Sequence, residues 1–379
     1  MSQRRLAIYR TGTEFGQMGH VLLSPLNWGL GHASRDVPVI RELLRHHHEV
    51  TVAADGNALE LLKREFPSCN FINFPDYPLV NSRGRFFFTR FTAHVPALVQ
   101  ALAEERRNLR KILSLNTYDL IISDSRFGVY SDTIPSIQIS HQMHQSFPFI
   151  VWPIELIALY VNGGAFRKFD AVIIPDNPPG PLSLAGKLSR TAGTRTKKLA
   201  YYSGILASIP KVRTEKRSDY LILISGMEPQ RTALEKILLP QVRDLPGRKV
   251  VLRGKPDGNQ VAGPDDDTTV YPYLSYAEKA ELMSGARFIV CRSGYTTMMD
   301  LAEIGLTNGL FIPTPGQWEQ EYLSAYYQRW GWFRSVSESR ISLLRDVEQT
   351  QGYSGFPEMT CTEKNVQKLY QELLSRYLE

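Results

Sequence analysis

A histidine stands at the tip of a glycine-flanked turn early in the chain. The stretch NWGLGHASRD, residues 27–36, follows an apolar run and precedes a helix-like pattern. Gly29 and Gly31 permit a tight turn and a close approach of a ligand to the backbone. His32 is then expected at a helix N-terminus, where free N–H groups and the helix dipole favour anions. A neutral imidazole there has the chemistry of a general base near pH 7.

A carboxylate is predicted beside this histidine. The run YDLIISD, residues 118–124, reads as an apolar strand that ends in Asp124. If it shares a sheet with the strand at 20–24, Asp124 reaches the same edge. It could then accept the His32 Nδ1–H and fix the tautomer of the ring. The alternative is that Asp124 caps the turn that follows, and the residues leave both open.

A second strand-to-helix turn lies in the other half of the chain. In FIVCRSGYTTMMDLAEIG, residues 288–305, a buried strand ends at Cys291. A helix is predicted over 295–304, with Gly305 as its C-terminal stop. The order strand, glycine turn and helix is the same as around the histidine.

The start of this second helix is suited to a nucleotide. Gly294, Thr296 and Thr297 offer N–H groups and hydroxyls to a diphosphate. Asp300, one to two turns further on, could reach ribose hydroxyls. The alternative is ordinary N-capping by Ser293 or Thr296.

Two further turns carry polar side chains after a strand. In PTPGQWEQEYLSAYY, residues 313–327, Gln320 and Glu321 are groups that bind sugar hydroxyls. In LISGMEPQR, residues 223–231, a strand again ends in glycine, and Arg231 could meet phosphate.

The elements that must position these residues are strands alternating with helices. Continuous apolar runs indicate strands covered on both faces, and amphipathic helices are predicted over 97–113 and 232–243. The strand-like runs are 20–24, 49–55, 70–75, 118–124, 135–140, 171–175, 220–225, 249–254, 268–274, 287–294 and 308–314. Such alternation predicts two doubly wound α/β domains with a ligand cleft at the carboxyl ends of the strands.

The domain boundaries follow from this pattern and from a polar, basic stretch in mid-chain. A chain of 379 residues is longer than one core usually holds. We predict an N-terminal extension (1–17), a first domain (18–205), a linker (206–219), a second domain (220–345) and a C-terminal helical segment that packs back on the first domain (346–379).

Composition limits the function classes. A net charge of +6 favours an anionic partner. Three cysteines give no disulfide framework and no metal-ligand spacing, and no apolar run reaches the ~20 residues of a spanning helix. No signal-peptide pattern is seen, so a cytoplasmic protein is expected. The runs DDD (265–267) and HHH (46–48) are interpreted as a solvated turn and a helix end, without a metal.

An aromatic, basic stretch raises the question of a membrane. RGRFFFTRF, residues 83–91, and RRNLRK, residues 106–111, combine phenylalanines with cations. Peripheral contact with an anionic membrane is one interpretation, and a core-packed helix with snorkelling arginines is the other. Nucleic acid is not expected as a partner, because no recognised binding module is present.

With these pieces in place the chain resembles the inverting, two-domain glycosyltransferases of the GT-B fold. It is most similar to the MurG-like, family-28-like branch, which moves N-acetylglucosamine from UDP to a lipid-linked acceptor. The resemblance covers roughly 18–345 and rests on GLGHASR, YDLIISD, HQMH, CRSGYTTMMDLAEIG and PTPGQWEQEYLSA. It implies two Rossmann-like domains whose parallel sheets face a central cleft.

The resemblance implies roles residue by residue. His32 stands as the general base and Asp124 as its orienting acid. The acceptor side is Asn27, Arg35, His141, Gln142 and His144. The donor side is Gly31, Ser225, Gly226, Arg231, Tyr273, Leu274, Arg292, Ser293, Gly294, Tyr295, Thr296, Asp300, Gln320 and Glu321.

The chain also departs from that branch. HQMH (141–144) replaces a His-Glu-Gln-Asn signature, and Asp300 replaces a glutamate. Glu228 follows the first phosphate turn, where a carboxylate is unfavourable. Arg35 replaces a common proline, and the resulting Gly-His-x-x-Arg pattern is similar to related nucleotide-sugar hydrolases.

The implied reaction is transfer of a hexose, N-acetylglucosamine-like, from a UDP-sugar to an acceptor hydroxyl with inversion and without a metal or other cofactor. The acceptor, lipid-linked or glycan, is not identified by the sequence. The resemblance implies a role in cell-envelope glycan synthesis at the inner face of the plasma membrane. The alternatives are a nucleotide-sugar hydrolase or epimerase, and a non-catalytic nucleotide-sugar-binding protein.

Overall fold

Two parallel β-sheets, joined in mid-chain, organise the protein. The computed structural model describes residues 18–27, 31–76, 87–143, 165–191, 194–215, 217–255, 258–259 and 261–379, with the backbone alone at 87–99 and 195. Within these residues one sheet has seven strands and the other six, and every strand pair is parallel. The predicted fold class is therefore confirmed.

The first sheet has the strand order β3-β2-β1-β4-β5-β6-β7. Its strands are β1 (His20–Pro25), β2 (Glu49–Ala54), β3 (Asn70–Asn73), β4 (Leu120–Asp124), β5 (Ser136–Ile139), β6 (Ala171–Ile174) and β7 (Ala200–Tyr202). Its helices are α1 (Gly31–Arg45), α2 (Gly56–Glu65), α3 (Phe87–Leu115) and α4 (Thr194–Leu199).

The second sheet has the strand order β10-β9-β8-β11-β12-β13. Its strands are β8 (Ser218–Leu223), β9 (Lys249–Leu252), β10 (Thr268–Tyr271), β11 (Ala286–Cys291), β12 (Gly309–Phe311) and β13 (Arg334–Ser335). Its helices are α5 (Gln230–Val242), α6 (Tyr276–Ser284), α7 (Tyr295–Ile304), α8 (Trp318–Arg329) and α9 (Leu343–Glu348).

Both sheets reverse their winding direction at the centre, between β1 and β4 and between β8 and β11. At such a switch point the two following connections leave on opposite sides and open a crevice at the carboxyl ends of the strands. The histidine turn follows β1, and the nucleotide-suited turn follows β11. The fold therefore places both turns where ligands bind in doubly wound sheets.

The C-terminal segment packs on the first domain. It consists of α10 (Thr362–Leu369), a π-helical turn (Tyr370–Leu374) and α11 (Ser375–Leu378). Their apolar residues share one core with β1, β2 and α1; these are Val366, Leu369, Tyr370, Leu373, Leu374 and Leu378. The chain thus crosses to the second domain and returns.

The histidine run anchors this return. His48 accepts from the Gly19 N–H at Nδ1 (3.1 Å), and its Nε2 lies 2.6 Å from Tyr370 Oη. His46 stacks on the Tyr370 ring at a centroid distance of 3.6 Å. His46 and His48 thus contact the C-terminal segment and fix it against the first domain.

Two local features of the chain are determined by burial. The linker predicted at 206–219 begins inside the core, because Leu206, Ala207 and Ile209 are buried against the two domains. Helix α1 begins at Gly31 and carries Pro38 in its interior. Burial of the surrounding apolar face outweighs the hydrogen bond that Pro38 cannot donate.

Candidate active site

Strand register brings the predicted dyad together. Pro25, the last residue of β1, pairs in register with Asp124, the last residue of β4. The chain then turns into α1, and His32 lies in its first turn. His32 Nδ1 lies 3.0 Å from Asp124 Oδ1, and the His32 side chain is 18% exposed. Parallel pairing of two sequence-distant strands therefore builds an imidazole–carboxylate pair at the sheet edge.

Arg35, one turn after His32, completes the carboxylate's surroundings. Its Nε donates to Asp124 Oδ2 at 2.6 Å and its Nη2 donates to Asp124 Oδ1 and, at 3.0 Å, to Ser125 Oγ. Burial by itself raises the pKa of Asp124, but the charges and hydrogen bonds of Arg35 and His32 outweigh it and hold that pKa well below its usual range. Asp124 is thus an ionised carboxylate in a fully buried place.

The donors of Arg35 decide the tautomer of His32. Arg35 Nη2 lies 2.9 Å from His32 Nδ1, but its two hydrogens are taken up by the oxygens of Asp124 and Ser125. A guanidinium has no acceptor, so His32 Nδ1 is best satisfied by donating its hydrogen to Asp124. The lone pair is then on Nε2, which is the arrangement of a general base.

His141 extends this network. Arg35 Nη1 donates to His141 Nδ1 at 2.7 Å, which fixes the hydrogen of the neutral ring on Nε2. Burial, joined by the charges of Arg35 and His32, lowers the pKa of His141 despite the opposing effect of Glu319. The ring lies flat on Tyr295, with centroids 4.3 Å apart and planes 7° from parallel.

Glu319 meets this network from the other domain. Its Oε2 lies 3.4 Å from His141 Nε2 and accepts from Gln142 Nε2. Burial raises the pKa of Glu319, but its interaction with His141 and the charges of His32 and Arg35 outweigh burial and lower the pKa. The sequence prediction chose Gln320 and Glu321 and missed Glu319. Neighbours on a helix point about 100° apart, so the phase of α8 alone decides which one faces the cleft.

The starts of α1 and α7 face each other. Thr296 Oγ1 donates to the Gly31 carbonyl at 3.1 Å, and Ser34 Oγ lies 2.7 Å from Tyr276 Oη. Both contacts cross between the domains. Two helix N-termini at one place form an environment that favours an anion such as a diphosphate.

The donor-side turns lie at the same edge of the second sheet. Gly226 is exposed with φ 119°, and Ser225 is half-buried. Gly294 is the N-cap of α7 and has no side chain to satisfy the free N–H groups there. Glu321 is exposed, and its Oε1 accepts from the Gly316 N–H at 2.9 Å.

Two donor-side residues support the turns from within. Ser293 Oγ donates to the Gln320 carbonyl at 2.9 Å. Gln320 Oε1 accepts from the Thr314 N–H at 2.9 Å, and its Nε2 donates to Gln317 at 2.6 Å. The structure therefore brings Gln320 next to the α7 start, where a Cβ on Gly294 would lie 3.9 Å from its amide nitrogen.

Two predicted phosphate ligands have other partners here. Arg231 donates to Glu228 and to Glu235, each at 2.6 Å, so Glu228 is turned toward a cation rather than toward a phosphate. Arg292 is 1% exposed and donates to the carbonyls of Ile312 and Pro313 and to Glu338. The two Nη groups of Arg292 thus contact strand ends and Glu338 from a buried position.

Asp300 is held by protein groups in this structure. The side chain is fully buried, accepts from the backbone N–H and hydroxyl of Ser208, and lies 2.8 Å from Lys279 Nζ. In this conformation it joins α7 to the mid-chain crossing and to α6. A ribose hydroxyl would have to displace Lys279 or Ser208 to reach it.

The remaining predicted residues have local roles or lie outside the described residues. Asn27 accepts from the Ala58 N–H at 3.1 Å and so caps α2. Tyr273 and Leu274 are half-buried before α6. His144 lies outside the described residues, as do 83–86 of the aromatic, basic stretch.

Asp36 is a residue the sequence analysis did not single out. It follows Arg35 in α1, is fully buried, and neither of its oxygens has a hydrogen-bond partner within the described part of the chain. Burial and the nearby charge of Asp124 raise its pKa well above the usual range, against the effect of Arg35. The pKa values of Asp36 and Asp124 are thus shifted in opposite directions beside Arg35.

The described residues contain neither a metal-ligand cluster nor a membrane-spanning helix. No group of three or more His, Cys, Asp or Glu side chains there is arranged to hold a metal ion. No helix among them is both long and apolar enough to cross a membrane.

Comparisons with known proteins fit this architecture. No protein-family model matches the chain. An "Uncharacterized glycosyltransferase" of Methanosarcina acetivorans is 25% identical over 359 residues, covering 86% of this chain and 89% of that one. The solved "Glycotransferase of kitacinnamycin" superposes with a TM-score of 0.62 at 13% identity, covering 96% of this chain and 100% of that chain. Acinetobacter baumannii MurG superposes with a TM-score of 0.56 at 15% identity, covering 94% and 99%. This likeness over nearly the whole of two solved structures, together with the two parallel sheets, means that this chain has the GT-B fold.

Proposed function

We propose that this protein is an inverting glycosyltransferase that moves a hexose from a nucleotide-diphosphate sugar to an acceptor hydroxyl. The observation that carries the proposal is the meeting of the His32–Asp124 pair with the start of α7, where Thr296 contacts Gly31. A base and an anion-binding helix start then share one cleft. The names of the relatives, which are glycosyltransferases, support the same class.

The proposed step is a single displacement at the anomeric carbon. His32 Nε2 takes the proton of the acceptor hydroxyl while that oxygen forms its bond to the anomeric carbon. The bond from that carbon to the diphosphate oxygen breaks, and the nucleoside diphosphate leaves with the electron pair. Asp124, ionised and held by Arg35, stabilises the imidazolium that forms.

The leaving diphosphate requires fixed donors. The N–H groups at the starts of α1 and α7 and the turn at Gly226 supply them without a metal in the proposed mechanism. Gln320, beside Gly294, is proposed to bind the hexose, with Glu321 nearby. We propose UDP as the nucleotide and an N-acetylglucosamine-like sugar, following the resemblance to the MurG-like branch.

A binding screen tests the donor. The protein is heated with a panel of UDP-, dTDP-, GDP- and ADP-sugars, and a bound ligand raises the melting temperature in proportion to RT ln(1 + [L]/Kd). A shift with UDP-N-acetylglucosamine is expected. Release of UDP that needs an added acceptor supports transfer, whereas release in water alone indicates a hydrolase. No shift with any member of the panel would contradict the proposal.

For the acceptor we propose a lipid-linked or glycan hydroxyl, with peripheral contact to an anionic membrane at the cytoplasmic face, in cell-envelope glycan synthesis. Arg107, Arg110 and Lys111 are exposed on α3, whereas Arg106 lies over the Tyr130 ring. Co-sedimentation with vesicles that contain anionic lipid, lost at high salt, is expected. Equal binding to neutral vesicles would argue against the electrostatic contact.

A further inference from the structure

A continuous chain of side chains connects the two domains through the proposed dyad. It runs from Glu319 on α8 to His141, from His141 to Arg35, and from Arg35 to Asp124. Glu319 lies in the first turn of α8 in the second domain, whereas the other members belong to the first domain. We propose that Glu319 is a positioning residue that, through His141 and Arg35, aligns the His32–Asp124 pair when the donor domain is seated; this rests on the proposed function.

The hydrogen-bond directions along this chain are fixed by chemistry. Arg35 can only donate, so His141 Nδ1 accepts and His141 Nε2 carries the hydrogen. Within the described residues this Nε2–H has no hydrogen-bond partner. Glu319 Oε2 lies 3.4 Å from Nε2. Glu319 is the carboxylate in ion-pair contact with this nitrogen of the buried ring.

The ring of His141 has little freedom to compensate for a lost acceptor. One face lies parallel to Tyr295, and Tyr295 is itself held by donating its hydroxyl to the Pro175 carbonyl at 2.6 Å. Gln142 donates to the same Glu319 oxygen, so two successive residues clasp one carboxylate. Loss of that carboxylate removes the acceptor of Gln142 Nε2 and the ion-pair contact of His141 Nε2, and the ring and Arg35 are expected to shift together.

Glu319 differs from its neighbours on α8 in the domain that its side chain contacts. Gln320 contacts the Thr314 N–H and Gln317, and Glu321 contacts the Gly316 N–H, so both serve the loop of their own domain. Among these three, Glu319 is the residue that reaches the first domain. Its position makes the geometry of the dyad depend on where α8 lies.

The test compares E319A with the near-isosteric E319Q, whose amide oxygen can still accept from both partners. We expect E319A to lower kcat by up to about 100-fold with little change in donor KM, because small displacements of a base are costly. E319Q is expected to recover most of the rate. E281Q, a change of an exposed glutamate on α6, is the matched control.

A double-mutant cycle shows whether Glu319 acts through His141. H141F keeps a flat ring on Tyr295 and removes both nitrogens, so E319A should add nothing in the H141F background. Full additivity would overturn the proposal. An E319Q variant as impaired as E319A would also overturn the proposal, and so would an effect of E319A on KM alone. Either result means that the charge of Glu319 contacts the substrate directly.

A measurement without substrate separates this inference from the proposed function. The proton between His32 Nδ1 and Asp124 is followed by NMR in ¹⁵N-histidine-labelled protein, and in E319A its resonance should shift or broaden while E319Q resembles the wild type. If no nucleotide sugar is turned over but this shift is seen, the proposed function fails and the coupling stands. An unchanged resonance in a folded E319A would overturn the coupling.

Discussion

Thr296 Oγ1 lies 3.1 Å from the carbonyl oxygen of Gly31, which joins the first turn of α7 to the first turn of α1. Two helix starts from different domains therefore meet beside His32. A Cβ on Gly31 would lie 3.1 Å from the same hydroxyl, so the approach leaves little room for a side chain there. The base and the anion-binding turn are in this way parts of one site.

Replacement of His32 should remove turnover and spare binding. H32A is expected to lower kcat by about 10²–10⁴-fold, the usual contribution of a positioned base. The donor-induced shift in melting temperature should persist, because the anion-binding turns are unchanged. H47N is the control, since His47 is exposed with φ 61°, which asparagine tolerates. Near wild-type kcat in H32A would exclude His32 as the base.

Loss of the Arg35 guanidinium should destabilise the first domain. R35M leaves Asp124 buried without its cation, and breaking such a pair costs about 3–5 kcal/mol. R41M, on the same helix, removes an exposed pair with Glu65 and should cost no more than about 1 kcal/mol. Urea unfolding measures both. Equal free energies of unfolding for the two variants would contradict the importance assigned to Arg35.

Asp36 should make stability fall as pH rises. Its pKa is raised in the folded protein, so above the unfolded value of about 3.9 the folded state binds more protons than the unfolded state. D36N cannot titrate and should therefore gain stability relative to wild type between pH 5 and 8. Denaturant titrations at several pH values give this difference. A constant difference across that range would show that Asp36 is ionised in the fold.

His48 should make stability depend on pH in the opposite sense. Burial, aided by the nearby charge of His46, lowers the pKa of His48, so the unfolded state binds its proton more readily. This stability is fully present above the unfolded pKa of about 6.5 and is lost as pH falls through the lower folded value. H48Q should flatten the dependence of melting temperature between pH 5 and 7. If the melting temperature of H48Q depended on pH as that of the wild type does, the pH dependence would come from another group.

The local order of elements was readable from the sequence. Apolar runs bounded by glycine turns indicated strands, and their alternation with helices required parallel sheets. The helix over 295–304 and its glycine stop were predicted, and Gly305 has φ 68°. The pairing of His32 with Asp124 was also within reach, because both follow strands whose carboxyl ends meet at one sheet edge.

Tertiary packing decided which polar groups face the cleft. Asp300 and Arg292 stand in the expected positions of the chain, yet both are buried against partners from distant segments, Ser208 and Glu338. Glu319 was passed over for its neighbours because one residue on a helix changes the direction of a side chain by about 100°. Spacing along the chain determined the turns and their chemistry. A buried charge costs free energy unless it is paired or hydrogen-bonded. The whole fold determines which charges are paired in this way, and it therefore decided which groups remain available for a ligand.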